Sequence, residues 1–318
     1  MTLLIRKPGI LSTIQDLGRF GGRSFGINPS GVMDRGATRV LNTILGNDER
    51  APVLEMHFPA PEIEFVDDTS FAIGGADFGA EINGVPCRNF SVASASRGSL
   101  LTFRRRRAGQ RAYLAVAGGF KADFWLGSAS TNLTAEIGGH RGKRLQAGDR
   151  LECPRSGELS TLTSGSLGAT RGDSPLIRII AGPEFPLLTA LSKRTFLRET
   201  FELTTSCDRM GFRLAGKALG LLDEFEMVSA AVTFGTIQLL PDGQLIILMA
   251  DHQTTGGYPR IGNVVNVDLP QLAQRGPGDR IRFEMISIEQ AEAFSLQFER
   301  ELNFLRVGCR LQGRNAES

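Results

Sequence analysis

The sequence predicts a mainly β protein with few helices, built as two similar β-domains of barrel or sandwich type. Three observations predict it. Short apolar segments are punctuated by Gly, Pro and Asp turns, in the manner of a barrel or sandwich and unlike strand–helix alternation. One strand-and-turn pattern occurs twice in the same order. Between the two copies, Pro154 to Pro175 is rich in Ser, Thr and Gly and poor in aliphatic residues. The expected organisation is an N-terminal β-barrel-like domain over 1–153, a linker or surface loop over 154–175, and a C-terminal β-barrel domain with a terminal helix over 176–318.

Leu3 to Arg6 reads as the first strand, with Pro8-Gly9 as its turn. Residues 12–23 follow as a loop holding Gln15, Asp16, Arg19 and several glycines. Asn28-Pro29-Ser30-Gly31 is a turn signal. Ser30 or Asp34 can then cap a helix with Ala37, Leu41, Ile44 and Leu45 on one face, ended by Gly46 in the left-handed region. Short strands come next at 63–66, 70–73, 80–82 and 91–93. The repeated pattern begins at Gly109 and again at Gly243: a glycine turn, an apolar strand, then Gly-Gly-aromatic. A Gly-Asp hairpin signal lies downstream of each, at Gly148-Asp149 and Gly278-Asp279. The second half opens with a strand at 176–180. Ser206 to Gly216 echoes the first Asp/Arg/Gly loop. The last element is a helix from Ser287, where Gln290 completes a capping box and Ala291, Phe294, Phe298, Leu302 and Leu305 share a face to pack on the barrel.

Bulk properties narrow the function classes. The 318 residues carry 36 basic and 34 acidic side chains, a formal net charge of +2, with 41% apolar content. That balance gives no reason to expect nucleic acid or an anionic membrane surface as partner. Arg104 to Arg107 reads as a solvated turn, because no aromatic platform accompanies it. Four scattered cysteines and three histidines without ligand spacing point to reduced thiols and no metal. No apolar run reaches the ~20 residues that span a bilayer, and the N-terminus lacks a signal-peptide pattern. A cytoplasmic location is expected.

The stretch Asp251-His252-Gln253-Thr254-Thr255-Gly256-Gly257-Tyr258-Pro259-Arg260 is the strongest chemical signal. It follows an apolar strand, 245–250, and gathers acid, amide, hydroxyl and guanidinium groups at the strand exit. His252 ranks below Asp251 and Gln253, since a lone histidine there is more often structural. No phosphate loop, dinucleotide fingerprint or serine-hydrolase elbow is present. No lysine lies between two methionines, so covalent biotin on this chain is not expected. Asp16 with Arg19, Asp208 with Arg209, and Asp251 with Arg260 are carboxylate–guanidinium sets in glycine-rich loops. Each can brace its turn; together they can line a cleft for a planar amide or ureido group.

Residues 9–19, Ser30 to Asp34, Asp208 to Leu214 and Asp251 to Arg260 resemble, in order over nearly the whole chain, the allophanate hydrolase subunit 2 family. That family is also called the biotin-dependent carboxyltransferase family or the family of the 5-oxoprolinase C subunit. The resemblance implies cyclophilin-like β-barrels. The activity it implies is opening of the 5-oxoproline lactam to glutamate within an ATP-dependent complex. The chain would pair with a subunit-1-type (B-like) chain and with an A-type chain, take a small amide substrate, and meet ATP only through the complex. Carboxyl transfer from carboxybiotin to a urea-like amide, and non-catalytic binding of a histidine-kinase inhibitor, are alternatives it also implies. The site residues carried over are Asp251, Gln253, Arg209 and Thr254 as catalytic, with Asp208, Thr255, Tyr258, Arg260, Gln15, Asp16, Arg19, Ser30 and Asp34 binding substrate.

Overall fold

The computed structural model describes residues 1–154, 174–223 and 227–315. It is mainly β, with four α-helices among the described residues. The chain divides into two compact units. The first takes the described residues of Met1–Arg19, Asp34–Thr170 and Phe298–Ser318, and the second those of Phe20–Met33 and Arg171–Gln297. The expected linker, 154–175, lies almost wholly outside the described residues.

The first unit holds strands β1 (Thr2–Lys7), β2 (Ser12–Gln15), β3 (Val53–His57), β4 (Glu62–Phe65), β5 (Thr69–Asp77), β6 (Ala80–Ile82), β7 (Val85–Pro86), β8 (Val92–Ala95), β9 (Leu100–Phe103), β10 (Ala108–Val116) and β11 (Arg150–Glu152). They form a six-stranded sheet, β11-β1-β4-β9-β6-β7, and a five-stranded sheet, β2-β3-β10-β5-β8. Leu3, Ile5, Ile63 and Leu101 from the first sheet meet Leu54, Met56, Ile73, Leu114 and Val116 from the second in one core. Helix α1 (Arg35–Ile44) lies on β5 and β10. With the core on one face and α1 on the other, β10 is buried continuously from Arg111 to Val116, which is why Ala112 to Val116 reads as an apolar run.

Asp34 caps α1, its carboxylate accepting the Ala37 N–H at 2.8 Å, and Gly46 ends the helix at φ +68°. The Asp34 N–H donates to the Tyr113 hydroxyl, which donates in turn to Glu55. Burial, reinforced by the Glu55 and Asp34 charges, keeps that hydroxyl protonated far above a phenol's usual range.

The second unit holds β12 (Leu176–Ala181), α2 (Ala190–Arg198), β13 (Phe201–Cys207), β14 (Gly211–Ala215), β15 (Ala230–Ala231), β16 (Thr236–Leu239), β17 (Leu245–Leu248), β18 (Thr255–Gly256), β19 (Arg260–Val264), α3 (Leu269–Ala273) and β20 (Arg280–Met285). Seven of the strands close into a barrel, β12-β19-β16-β17-β14-β13-β20. A ring of strictly antiparallel neighbours needs an even number of strands. With seven, one pair must run parallel, and it is β12 with β20. Ile177, Ile179, Phe201, Phe212, Ile237, Ile247, Ile261 and Phe283 belong to the core of this unit. Alternate residues of the strands fill the barrel, so ligand chemistry belongs to its loops.

The repeated hairpin signal recurs in geometry. Gly148 and Gly278 sit at φ +92° and +86°, and Asp149 and Asp279 accept the N–H three residues back at 2.7 and 2.8 Å. The halves differ in closure: the second is a hydrogen-bonded ring, whereas the strands of the first form two sheets. Helix α4 (Ile288–Asn315) starts at the expected capping box, with Ser287 and Gln290 bonded reciprocally. It does not pack on the barrel alone, because from Phe298 onward it belongs to the first unit, where Phe298 stacks on Arg39 and Glu299 pairs with that same arginine. No described helix is long and apolar enough to cross a membrane.

Candidate functional site

The buried run of β17 continues through Met249 and Ala250 and delivers Asp251 to the barrel rim. Met249 N–H bonds to Met210 O, and Asp251 N–H to Arg209 O at 2.7 Å, so the turn after β13 lies beside this strand exit. Asp208 makes that turn, its Oδ1 accepting the N–H groups of Met210 and Gly211. Arg209 then forks onto the Asp251 carboxylate, Nε to Oδ2 at 2.8 Å and Nη2 to Oδ1 at 3.2 Å. Nη2 also reaches Gly31 O. Ser30 Oγ donates to Asp251 Oδ1 at 2.6 Å, and Asn28 Nδ2 to Asp251 O at 3.1 Å.

Three chain segments are therefore tied to one carboxylate, which keeps 18% of its side chain exposed. Ser30 takes φ +55°, a left-handed conformation uncommon for serine, and the knot holds it there.

The rest of the motif makes a ribbon. Thr255–Gly256 pairs antiparallel with Ala230–Ala231, and Thr254 O accepts the Val232 N–H. Among the described residues the side chains of Gln253, Thr254, Thr255 and Tyr258 make no hydrogen bond, and Gln253, Thr255 and Tyr258 are exposed. They are the polar groups here that can turn to a ligand. His252 is buried, with Nδ1 against Gln253 O, in keeping with a structural role.

Arg260 is engaged within the fold. Arg260 forks onto Glu184, a residue of the turn after β12, and donates to Ala231 O at 3.1 Å; it braces the ribbon. Hydrogen bonding from Arg260 holds the Glu184 carboxyl below the usual range and raises the guanidinium in return. A group with a lowered folded-state pKa contributes stability that is fully present above its unfolded value, about 4.3, and lost as pH falls through the lowered one. Glu184→Gln is expected to flatten the acid limb of a Tm-versus-pH curve between about pH 3 and 5. An unchanged limb would show that the pair does not brace the fold.

Neither Gly256 nor Gly257 has a positive φ. A Cβ on Gly256 would collide with Gln238 Nε2, whereas one on Gly257 would meet Ser229 Oγ at an ordinary 3.5 Å. Gln238 is buried and donates to Tyr258 O at 3.3 Å. Gly256→Ala should cost about 1–3 kcal/mol through overpacking, and Gly257→Ala within about 0.5 kcal/mol, as read by urea unfolding. Gln238, Ser229 and Glu184 were not legible as partners of this motif, because nothing local in sequence links them to it.

Gln15, Asp16, Arg19 and Asp34 lie in the first unit. Asp16 accepts from Ser128, Ser130, the Ala129 N–H and the Gly18 N–H. Arg19 bonds Ser130 O and lies over Trp125, and the Gln15 amide donates to Thr13 and Thr131. These are the contacts of a buried loop brace. Among the described residues no group of three or more His, Cys, Asp or Glu side chains is placed to hold a metal.

Residues 25–285 match the family model described as carboxyltransferase domain, subdomain A and B. The chain belongs to this family. Among its relatives it is 38% identical over 300 residues to the 5-oxoprolinase C subunit of Haemophilus influenzae, covering 93% of this chain and 94% of that one. To the 5-oxoprolinase C subunit of Escherichia coli it is 36% identical over 313 residues, covering 98% and 100%. The crystal structure of the K. lactis urea amidolyase superposes with a TM-score of 0.90 at 24% identity, over 96% of this chain and 20% of that one, and shows the shared fold. The carboxyltransferase-domain architecture thus carries the Asp251 cluster on a barrel rim.

Proposed function

We propose that this chain is the C subunit of an ATP-dependent 5-oxoprolinase, opening the lactam of 5-oxoproline to glutamate together with partner subunits. The observation that carries the reading is the 36–38% identity to two proteins of that name, over nearly the whole of both chains. The chemistry of the rim agrees with it. An acceptor already held by Arg209 and Ser30 suits the N–H of a cyclic amide, and Gln253, Thr255 and Tyr258 offer polar groups for its carbonyl. Asp251 orients the lactam. Arg209 and Ser30 are positioning residues, since their donors point at Asp251.

Hydrolysis adds water across the lactam C–N bond, with hydroxyl to the carbonyl carbon and a proton to nitrogen. ATP supplies the driving force within the complex. The Asp251 cluster does not fit a triphosphate, because Arg209 is forked onto a carboxylate and the pair is neutral; no step here runs through the nucleotide. The partners are a subunit-1-type (B-like) chain and an A-type chain, and the expected compartment is the cytoplasm.

A second reading is favoured by the family model itself: carboxyl transfer from a partner's carboxybiotin to a urea-like amide, another planar N–C=O group. The deciding experiment is purification of the chain with its partners and assay on 5-oxoproline. ATP-dependent release of glutamate by the complex, and not by this chain alone, is the expected result. No turnover by the assembled complex, or turnover that avidin blocks, would overturn the reading.

A further inference from the structure

One face of α4 is buried, centred on Leu302 and Cys309 with Phe298 and Leu305 half-buried beside them. The opposite face is apolar too. Leu296, Phe304, Val307 and Leu311 project from it and are 58%, 76%, 53% and 57% exposed. At about 100° per residue these four fall within one quarter of the helix circumference, with Arg300 in the same sector between Leu296 and Phe304. Four large apolar side chains on one solvent face mark a contact surface.

Charge says what covers it. The first half of α4 carries Glu289, Glu292, Glu299 and Glu301 against Arg300, whereas the second carries Arg306, Arg310 and Arg314 and no acid; of these, Glu299 and Arg306 already pair within the chain, with Arg39 and Glu49. The helix macrodipole accounts for that gradient but not for the exposed apolar side chains.

We propose that this face is a self-docking surface, on which α4 of a second copy of this chain lies antiparallel. The antiparallel arrangement sets the acidic end of each helix beside the basic end of the other and opposes the two dipoles. A parallel one would place like charges together. The contact is self-complementary, as a two-fold interface requires. Pairing Leu296 of one copy with Leu311 of the other puts the two-fold axis between positions 303 and 304, with the Phe304 rings meeting across it. One helix pair buries less than a standard interface of roughly 1,600 Å², so the dimer forms in the micromolar range. The proposal is independent of the activity assigned above.

The test is sedimentation velocity of the full chain from about 1 to 100 µM, chosen to bracket that range, with the Phe304→Glu and Val307→Glu variants. Both side chains are exposed, so the variants retain the fold, which circular dichroism checks. The wild type is expected to pass from monomer to dimer, and each variant to weaken the dimer at least about tenfold. Orientation is read by spin labels on Arg310→Cys, with Cys87 and Cys207 replaced by Ser. Antiparallel pairing separates the two labels by about 20 Å along the axis, at 1.5 Å per residue. A chain that stays monomeric, a dimer indifferent to both substitutions, or labels about one helix diameter (~10 Å) apart would overturn the proposal. So would a monomeric chain whose variants lose only the capture of a different protein.

Discussion

Replacing Asp251 with Ala is expected to lower glutamate release by the assembled complex at least about 100-fold, the scale seen when one preorganised polar group is removed from an active site. The geometry explains why the effect is large. The carboxylate is fixed by Arg209 and Ser30, so its orientation is set before a ligand arrives. Asp251→Asn keeps the shape but brings an NH₂ where Arg209 and Ser30 both donate, and should be nearly as damaging. Arg209→Lys keeps the charge and loses the fork, so a partial loss is expected. Ser30→Ala removes one hydrogen bond worth about 1 kcal/mol, a loss of roughly fivefold. Circular dichroism and capture of the partner chains separate a damaged site from a damaged fold. Turnover within about threefold of wild type for a folded, assembled Asp251→Ala complex, well short of the effect of a preorganised group, would remove Asp251 from the chemistry. It would leave the oxoprolinase reading itself intact.

Much of the fold was legible because local physics sets it. The α1 cap at Asp34, the left-handed Gly46, the β12 and β17 runs and the α4 capping box each depend on neighbours within a few residues. Helix α2 was not legible: only Ser192 and Phe196 are buried on it, so it carries almost no apolar stripe.

The site was half legible. The motif 251–260 stood out as a polar strand exit, but its wiring joins residues distant in sequence. Ser30 meets Asp251 across 221 positions, and Glu184 meets Arg260 across 76. Sequence paired Asp251 with Arg260 by proximity; folding pairs Asp251 with Arg209 and gives Arg260 to Glu184. The two Asp-Arg-Gly loops look alike because both use an Asp side chain to fold their own turn, at Gly18 and at Met210. The second is hydrogen-bonded to Asp251 through Arg209.

The second large effect falls on stability, at the ion pair of Arg178 and Asp268. Arg178 lies on β12 with its side chain 8% exposed, and Asp268, which precedes α3, is 1% exposed. Nε of Arg178 reaches Oδ2 at 3.0 Å, Nη2 reaches Oδ1, and the Arg178 N–H bonds the same Oδ2 at 2.8 Å. Phe294 of α4 covers the guanidinium, with Cζ 3.9 Å from the ring centre. Strand, α3 and the start of α4 therefore share one desolvated charge pair. Asp268→Ala strands a cation under an aromatic ring and should cost roughly 3–5 kcal/mol, because a buried charge without its partner retains the full desolvation penalty. Arg178→Met leaves a buried carboxylate and should cost a similar amount. Joining Arg178→Met with Asp268→Leu removes both charges while filling the space, and should cost far less than the two single losses added. Phe294→Ala loses only the stacking, about 1–2 kcal/mol. Urea unfolding of the four variants reads the ordering. If the double variant were as unstable as the sum of its parts, the two charges would be energetically uncoupled, and the account of the pair as a mutual neutralisation would fail.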